Sequence, residues 1–197
     1  VVGRERCPGV VAVKPVHKTT AEERARVLSV DQLVIDVGAS SRAEAEKVAG
    51  KGDYAVFATR FQDLGSTVIG KAFDDRVGCA VLIELIQRGP YPFTLCPVFT
   101  TMEEIGMRGA RVAAYGMAPD AAFVLEGTIC DDSPKTRDES PTTRLGHGPV
   151  ISIADRSVIA DARLVRHIRE TAAALRVPLQ VKQPGKGGTD AGAIHLA

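Results

Sequence analysis

The chain has 197 residues, 45% of them hydrophobic and 5% aromatic, with no tryptophan, which allows one medium domain or two small ones. Its 25 basic and 24 acidic residues leave a net charge of +1, which removes any electrostatic case for nucleic acid or an anionic membrane as a partner. No apolar run approaches the roughly 20 residues that span a bilayer, and no signal peptide opens the sequence.

Residues 1–69 read as a mostly β domain. Val10-Val11-Ala12-Val13 is bounded by Pro8-Gly9 and Pro15, and Leu33-Val34-Ile35-Asp36-Val37 stops at Gly38. Residues 54–61 alternate apolar and polar, and Thr67-Val68-Ile69 follows Gly65. Short runs between turn residues are the strand pattern. Thr20-Ala21-Glu22-Glu23 and Ser41-Arg42-Ala43-Glu44 each predict a short helix opened by a capping box. His17, in a loop without a partner, reads as solvated.

Residues 70–197 predict an α/β domain, because strand and helix patterns now alternate. Val77, Val81, Leu82, Leu85 and Ile86 form a helical stripe over residues 75–87. Residues 95–101 predict a buried strand, and residues 107–115 a helix closed by Gly116. Residues 121–125 and 150–153 predict two further strands. Leu164, Val165, Ile168, Ala172 and Leu175 share one face of a helix capped by Asp161, and residues 179–182 return as a strand. Residues 131–148, rich in Asp, Ser, Thr, Pro and Gly, predict a long loop. Cys7, Cys79, Cys96 and Cys130 form no C-x-x-C and read as reduced packing residues of a cytoplasmic protein. The start at Val1 and the stop at Ala197, inside an apolar segment, lead us to expect a piece of a longer protein.

Three acidic sites fall at the ends of apolar runs. Asp74-Asp75 follows Ile69-Gly70-Lys71-Ala72-Phe73, Glu103-Glu104 ends the run through Thr100-Thr101-Met102, and Glu126 follows Phe123-Val124-Leu125. Ligands in open α/β sheets gather at the carboxyl ends of strands. Carboxylates gathered there repel one another unless a positive charge sits among them, and a divalent metal is the economical answer. Adjacent strand residues face opposite ways, so Glu103 and Glu104 can divide proton handling from metal binding. Use of acids at helix N-termini explains Asp74 or Asp75 but not Glu103, Glu104 and Glu126. Gly185-Lys186-Gly187-Gly188-Thr189 lacks the spacing of a phosphate loop.

Lys71-Ala72-Phe73-Asp74-Asp75-Arg76-Val77-Gly78, Thr101-Met102-Glu103-Glu104-Ile105-Gly106 and Gly187-Gly188-Thr189-Asp190-Ala191-Gly192-Ala193-Ile194 resemble, in that order, the glutamyl and tetrahedral aminopeptidases of metallopeptidase family forty-two. The resemblance covers nearly the whole chain. It implies a phosphorylase/hydrolase-like zinc-exopeptidase sheet with helices on both faces, carrying an inserted β-rich dimerisation-type domain. It also implies a co-catalytic metallo-aminopeptidase with two divalent ions, zinc or cobalt, short peptide substrates, and homo-oligomers from dimer to dodecamer. Asp74 would bridge the metals, its bond to Asp75 would be strained or cis, and Asp75 would orient a histidine ligand. Glu103 would be the general base, Glu104 and Glu126 would each hold a metal, and Gly188, Thr189 and Asp190 would line the substrate pocket. Glu126 stands where family members often carry Asp. The family's two histidine ligands have no counterpart here, since His147, His167 and His195 match neither position. We therefore expect those ligands outside this chain, and weak metal binding and no activity from these residues alone. The alternatives are an endoglucanase-type glycoside hydrolase, which adjacent glutamates and few aromatics disfavour, and an inactive assembly module.

Overall fold

The computed structural model describes residues 1, 6–130, 143–184 and 187–197. Most of the loop expected over residues 131–148 thus lies outside the described residues, as do Gly185 and Lys186. The chain is mixed α/β and divides into two compact units, Val1–Lys71 and Ala72–Ala197.

In the first unit, β1 (Val10–Ala12) pairs antiparallel with β2 (Val34–Asp36), Val11 opposite Ile35. Gly9 is required beside this pair, because a Cβ there would lie 2.6 Å from Ile35 Cγ2. Helix α1 (Ala21–Ala25) opens with the expected reciprocal capping box: Glu23 N–H donates to Thr20 Oγ1 at 3.1 Å and Thr20 N–H to Glu23 Oε2 at 2.7 Å. The same carboxylate pairs with Lys14 at 2.8 Å, tying α1 to the chain after β1. In α2 (Arg42–Val48), Ser41 Oγ accepts from Glu44 N–H, but the Glu44 carboxylate reaches Ser40 N–H instead of Ser41. Among the described residues, residues 54–61 pair only through a bridge at Tyr54. They lead into a hairpin of β3 (Gln62–Asp63) and β4 (Val68–Ile69), turned at Gly65 with φ 86° and an Asp63 carboxylate that accepts from Gly65 N–H.

In the second unit, α3 (Phe73–Gln87) is entered through Ala72 at φ 50°, and Asp74 and Asp75 keep non-helical backbone angles within it. Helix α4 (Arg108–Met117) stops at Ala118 (φ 44°), so Gly116 lies inside the helix and the left-handed stop falls two residues later than expected. Strands β5 (Val150–Ser152) and β6 (Gln180–Lys182) pair in parallel, Ile151 opposite Val181. The crossover between them carries α5 (Ala162–Ala174), whose N-cap Asp161 accepts from Arg163 N–H at 2.7 Å. Helix α6 (Ala191–Ile194) packs on α4 through small side chains, with Ala110, Ala114 and Ala193 no more than 4% exposed.

Residues 95–101 and 121–125, both expected to be strands, join no sheet among the described residues. Apolar composition states what a segment is suited to be buried against, but a strand also needs a ladder partner. Neither segment has one here, and Phe99 and Phe123 are 49% and 58% exposed.

Candidate active site

The irregular start of α3 sets the first acidic pair. The Asp74–Asp75 peptide bond is cis. Asp75 turns its carboxylate back onto the helix, where Oδ1 accepts from Gly78 N–H at 3.0 Å. Gly78 must be glycine, because a Cβ there would run into the Asp75 carboxylate. A second N–H, from Gly127, also reaches Asp75. Gly127 lies so close that a Cβ on it would sit 2.8 Å from Asp74 Cβ. The segment ending in Glu126 is thereby set directly against the Asp74-Asp75 corner.

The second pair sits on a tight turn. Met102 is left-handed (φ 59°), and Glu103 C=O accepts from Gly106 N–H at 3.0 Å and Met107 N–H at 2.9 Å. Gly106 holds φ 114°, a conformation that favours glycine. Gly109 N–H donates to Thr101 C=O at 2.9 Å, closing the turn onto α4. Glu103 is half-buried and Glu104 exposed, so the neighbours occupy different surroundings.

The third contribution comes from the chain entering α6. Asp190 is 6% exposed, and its Oδ2 accepts from Thr100 Oγ1 at 2.5 Å. The preceding residues are clamped by a turn after β5. Asp155 Oδ1 accepts from Ser157 N–H (2.6 Å), Ser157 Oγ (2.7 Å) and Val158 N–H (2.9 Å). Asp155 Oδ2 accepts from Thr189 Oγ1, Ser157 Oγ accepts from Thr189 N–H, and Arg156 N–H donates to Gly187 C=O. Thr189 is half-buried, Gly188 exposed.

These acids feel one another. Burial, then the charges of Glu103, Asp75, Asp74 and Asp190, push Glu126 up to about 7. Burial, then Asp190, Glu104 and Asp74, raise Glu103 above the ordinary glutamate value. Asp75 is also raised, by burial first and with Asp74 and Asp190 adding, although the Gly78 N–H opposes the shift. The structure thus brings Asp74, Asp75, Glu103, Glu126 and Asp190 into electrostatic reach, with Glu104 beside Glu103.

A cation would relieve this repulsion, and carboxylate oxygens are suitable donors for one. The set is nevertheless incomplete: among the described residues, no group of three His, Cys, Asp or Glu could hold a metal ion. His17, His147 and His167 are exposed, and His195 Nδ1 lies 3.0 Å from Ala191 C=O one turn back. The residues fit part of a metal centre and do not close it. Sequence reasoning gave no role to Thr100, Asp155 or Ser157. The Asp-x-Ser spacing of Asp155 and Ser157 marks a side-chain-stabilised turn, but nothing local points from Thr100 to a partner 90 residues away.

Solved structures similar to this chain include three that bear on its function. A TET aminopeptidase from a marine sediment archaeon of the Thaumarchaeota is 37% identical, with a TM-score of 0.86, covering 95% of this chain and 55% of that one. The TET1 peptidase of Pyrococcus horikoshii, described as assembling into a tetrahedron or a large octahedral shell, is 30% identical at TM-score 0.76, covering 99% of this chain and 58% of that one. An endoglucanase from Thermotoga maritima is 30% identical at TM-score 0.62, covering 79% of this chain and 50% of that one. The chain spans about half the length of the curated relatives it matches, 51% and 54% of two of them. The family model for M42 glutamyl aminopeptidase matches residues 1–197. With no segment outside that match, and with the same fold in relatives at 30% identity and above, the chain belongs to the M42 glutamyl aminopeptidase family.

Proposed function

We propose that the protein containing this chain is a metal-dependent aminopeptidase that removes N-terminal residues from short peptides. The observation that carries this reading is the half-buried Glu103, raised in proton affinity beside Asp74, Glu104 and Asp190. A carboxylate so placed holds a proton more readily than an exposed glutamate, which suits it to take a proton and give it back. Asp74, Glu104 and Glu126 would hold two divalent ions, zinc or cobalt, completed by imidazoles from outside this chain. When bound, such ions polarise a peptide carbonyl and make water more acidic.

The remaining steps belong to this chain's own residues. Glu103 accepts a proton from the attacking water and delivers it to the departing amine. Asp75, fixed by the Gly78 N–H, orients an imidazole. The Gly188-Thr189 segment, which leads into the buried Asp190, lines the substrate pocket. We further assign residues 1–69 to an inserted β-rich dimerisation-type domain and residues 70–197 to a sheet with helices on both faces. The whole protein is a cytoplasmic homo-oligomer, a reading supported by the assemblies described for the similar Pyrococcus horikoshii peptidase.

The test is hydrolysis of aminoacyl anilides by the full encoded protein, abolished by a chelator and restored by zinc or cobalt. Activity indifferent to chelation would sink the mechanism. The likeness to an endoglucanase favours a second reading. Release of reducing ends from carboxymethylcellulose, without peptide cleavage, would replace the first reading with it.

A further inference from the structure

We infer that Asp190 is a positioning residue: its buried carboxylate, bound to the Thr100 hydroxyl, holds the turn that presents Glu103, and the Asp155–Ser157 turn holds Asp190 in place. The inference rests on the assignment of Glu103 as general base. An aspartate at the position before a helix ordinarily accepts from that helix's own first N–H groups. Asp190 occupies that position before α6, yet its side chain makes no capping bond. It is spent instead on Thr100, across 90 residues of sequence. A carboxylate 94% removed from solvent is costly unless paired. Here Oδ2 has the Thr100 hydroxyl, while Oδ1 is buried with no hydrogen-bond partner among the described residues. A half-satisfied buried acid lowers stability, and the Thr100 hydroxyl is the one partner that offsets the cost among the described residues.

The contact also serves the segment between two fixed points. Thr100 is held by Asp190 at one end, and Gly109 of α4, which donates to Thr101 C=O, is the other. Glu103 lies on the turn between Thr101 and Gly109, closed by its own carbonyl. Asp190 can act as a post only if it is itself fixed, and Asp155 supplies that. Its carboxylate accepts four hydrogen bonds, one of them from Thr189. Gly188 and Gly192 let Ser157 in, since a Cβ on Gly188 would lie 3.1 Å from the Ser157 side chain.

The experiment compares Thr100→Val, Asp190→Asn and the double variant in the full encoded protein loaded with zinc. Each single change is expected to lower kcat about tenfold to hundredfold, the scale of a misplaced catalytic group, with KM within about twofold and bound metal unchanged. The double variant should be no worse than either single, because both remove the same bond. Thr100→Ser, which keeps the hydroxyl, should restore the kcat lost in Thr100→Val. A raised KM at unchanged kcat would make Asp190 a substrate contact instead, and lost metal would make it part of the metal centre. Additive effects, or none, would likewise overturn the proposal. Hydrogen exchange separates this from failure of the aminopeptidase reading. If the wild-type protein cleaves no peptide, faster exchange of the amides from Thr101 to Met107 in Asp190→Asn still supports the positioning role, and unchanged exchange overturns it.

Discussion

As the proposed general base, Glu103 has two requirements to meet at once. It must be basic enough to take a proton and acidic enough to release it in the same turnover. Half-burial and the charges of Asp190, Glu104 and Asp74 move it in the required direction. Glu103→Gln keeps the shape of the side chain and removes the proton exchange. We expect kcat to fall about 10²- to 10⁴-fold, with KM little changed and metal content intact, in steady-state anilide assays paired with metal analysis. Retained kcat would assign the proton step elsewhere. That Glu103 and Glu104 occupy different surroundings is visible in the sequence, from their adjacency at the end of an apolar run. The bond from Thr100 to Asp190 is not visible there. No local spacing encodes a contact that depends on where α6 lands against α4.

At the scale of elements, a local signal survives where its partners are also local. Asp161 caps α5 with residues two positions away, and the helix follows as the apolar stripe predicts. The Arg163 side chain and N–H hold the Asp161 carboxyl down at about 2. A folded-state value below the ordinary aspartate value stabilises the protein above about pH 4, and that stabilisation is lost as pH falls through about 2. Asp161→Ala should therefore lower Tm by a few degrees at pH 7. The gap should close toward pH 2, which thermal melts across that range would show; a gap that widened in acid would contradict the cap. Gly109 tests a contact between elements, since a Cβ there would fall 2.5 Å from Thr101 N and O. Gly109→Ala should cost about 1–3 kcal/mol, as overpacking does, and lower kcat as well, because the displaced backbone carries the turn of Glu103. Residues 95–101 and 121–125 are the opposite case. Their apolar runs are plain in the sequence, but pairing needs neighbours, and among the described residues none is in register with them.

At the scale of the molecule, both units leave large apolar side chains exposed. Val27, Phe57 and Phe61 are 98%, 78% and 68% exposed in the first unit, and Val77, Ile86 and Phe123 are 49%, 49% and 58% exposed in the second. The chain spans about half of its curated relatives; if the whole protein assembles as proposed, its remainder and its copies would cover these faces. The metal centre follows the same logic. Five mutually repelling acids are present without a closed ligand set among the described residues. If imidazoles from elsewhere complete the centre, an ion bound only in the folded state at about 1,000 times its Kd contributes about 4 kcal/mol of stability. Chelation should then lower the Tm of the full encoded protein by several degrees, with fewer degrees per kcal/mol than the about 2–4 °C of a 150–250-residue domain because a longer chain unfolds with more entropy, and zinc or cobalt should restore it. The 197-residue chain titrated with the same zinc should show almost no shift, because a few oxygen donors hold zinc less well than a mixed nitrogen and oxygen site. Differential scanning calorimetry on both proteins decides the matter. An equal shift in the two would mean that the acids of this chain close the site alone, and the argument for outside imidazoles would fail.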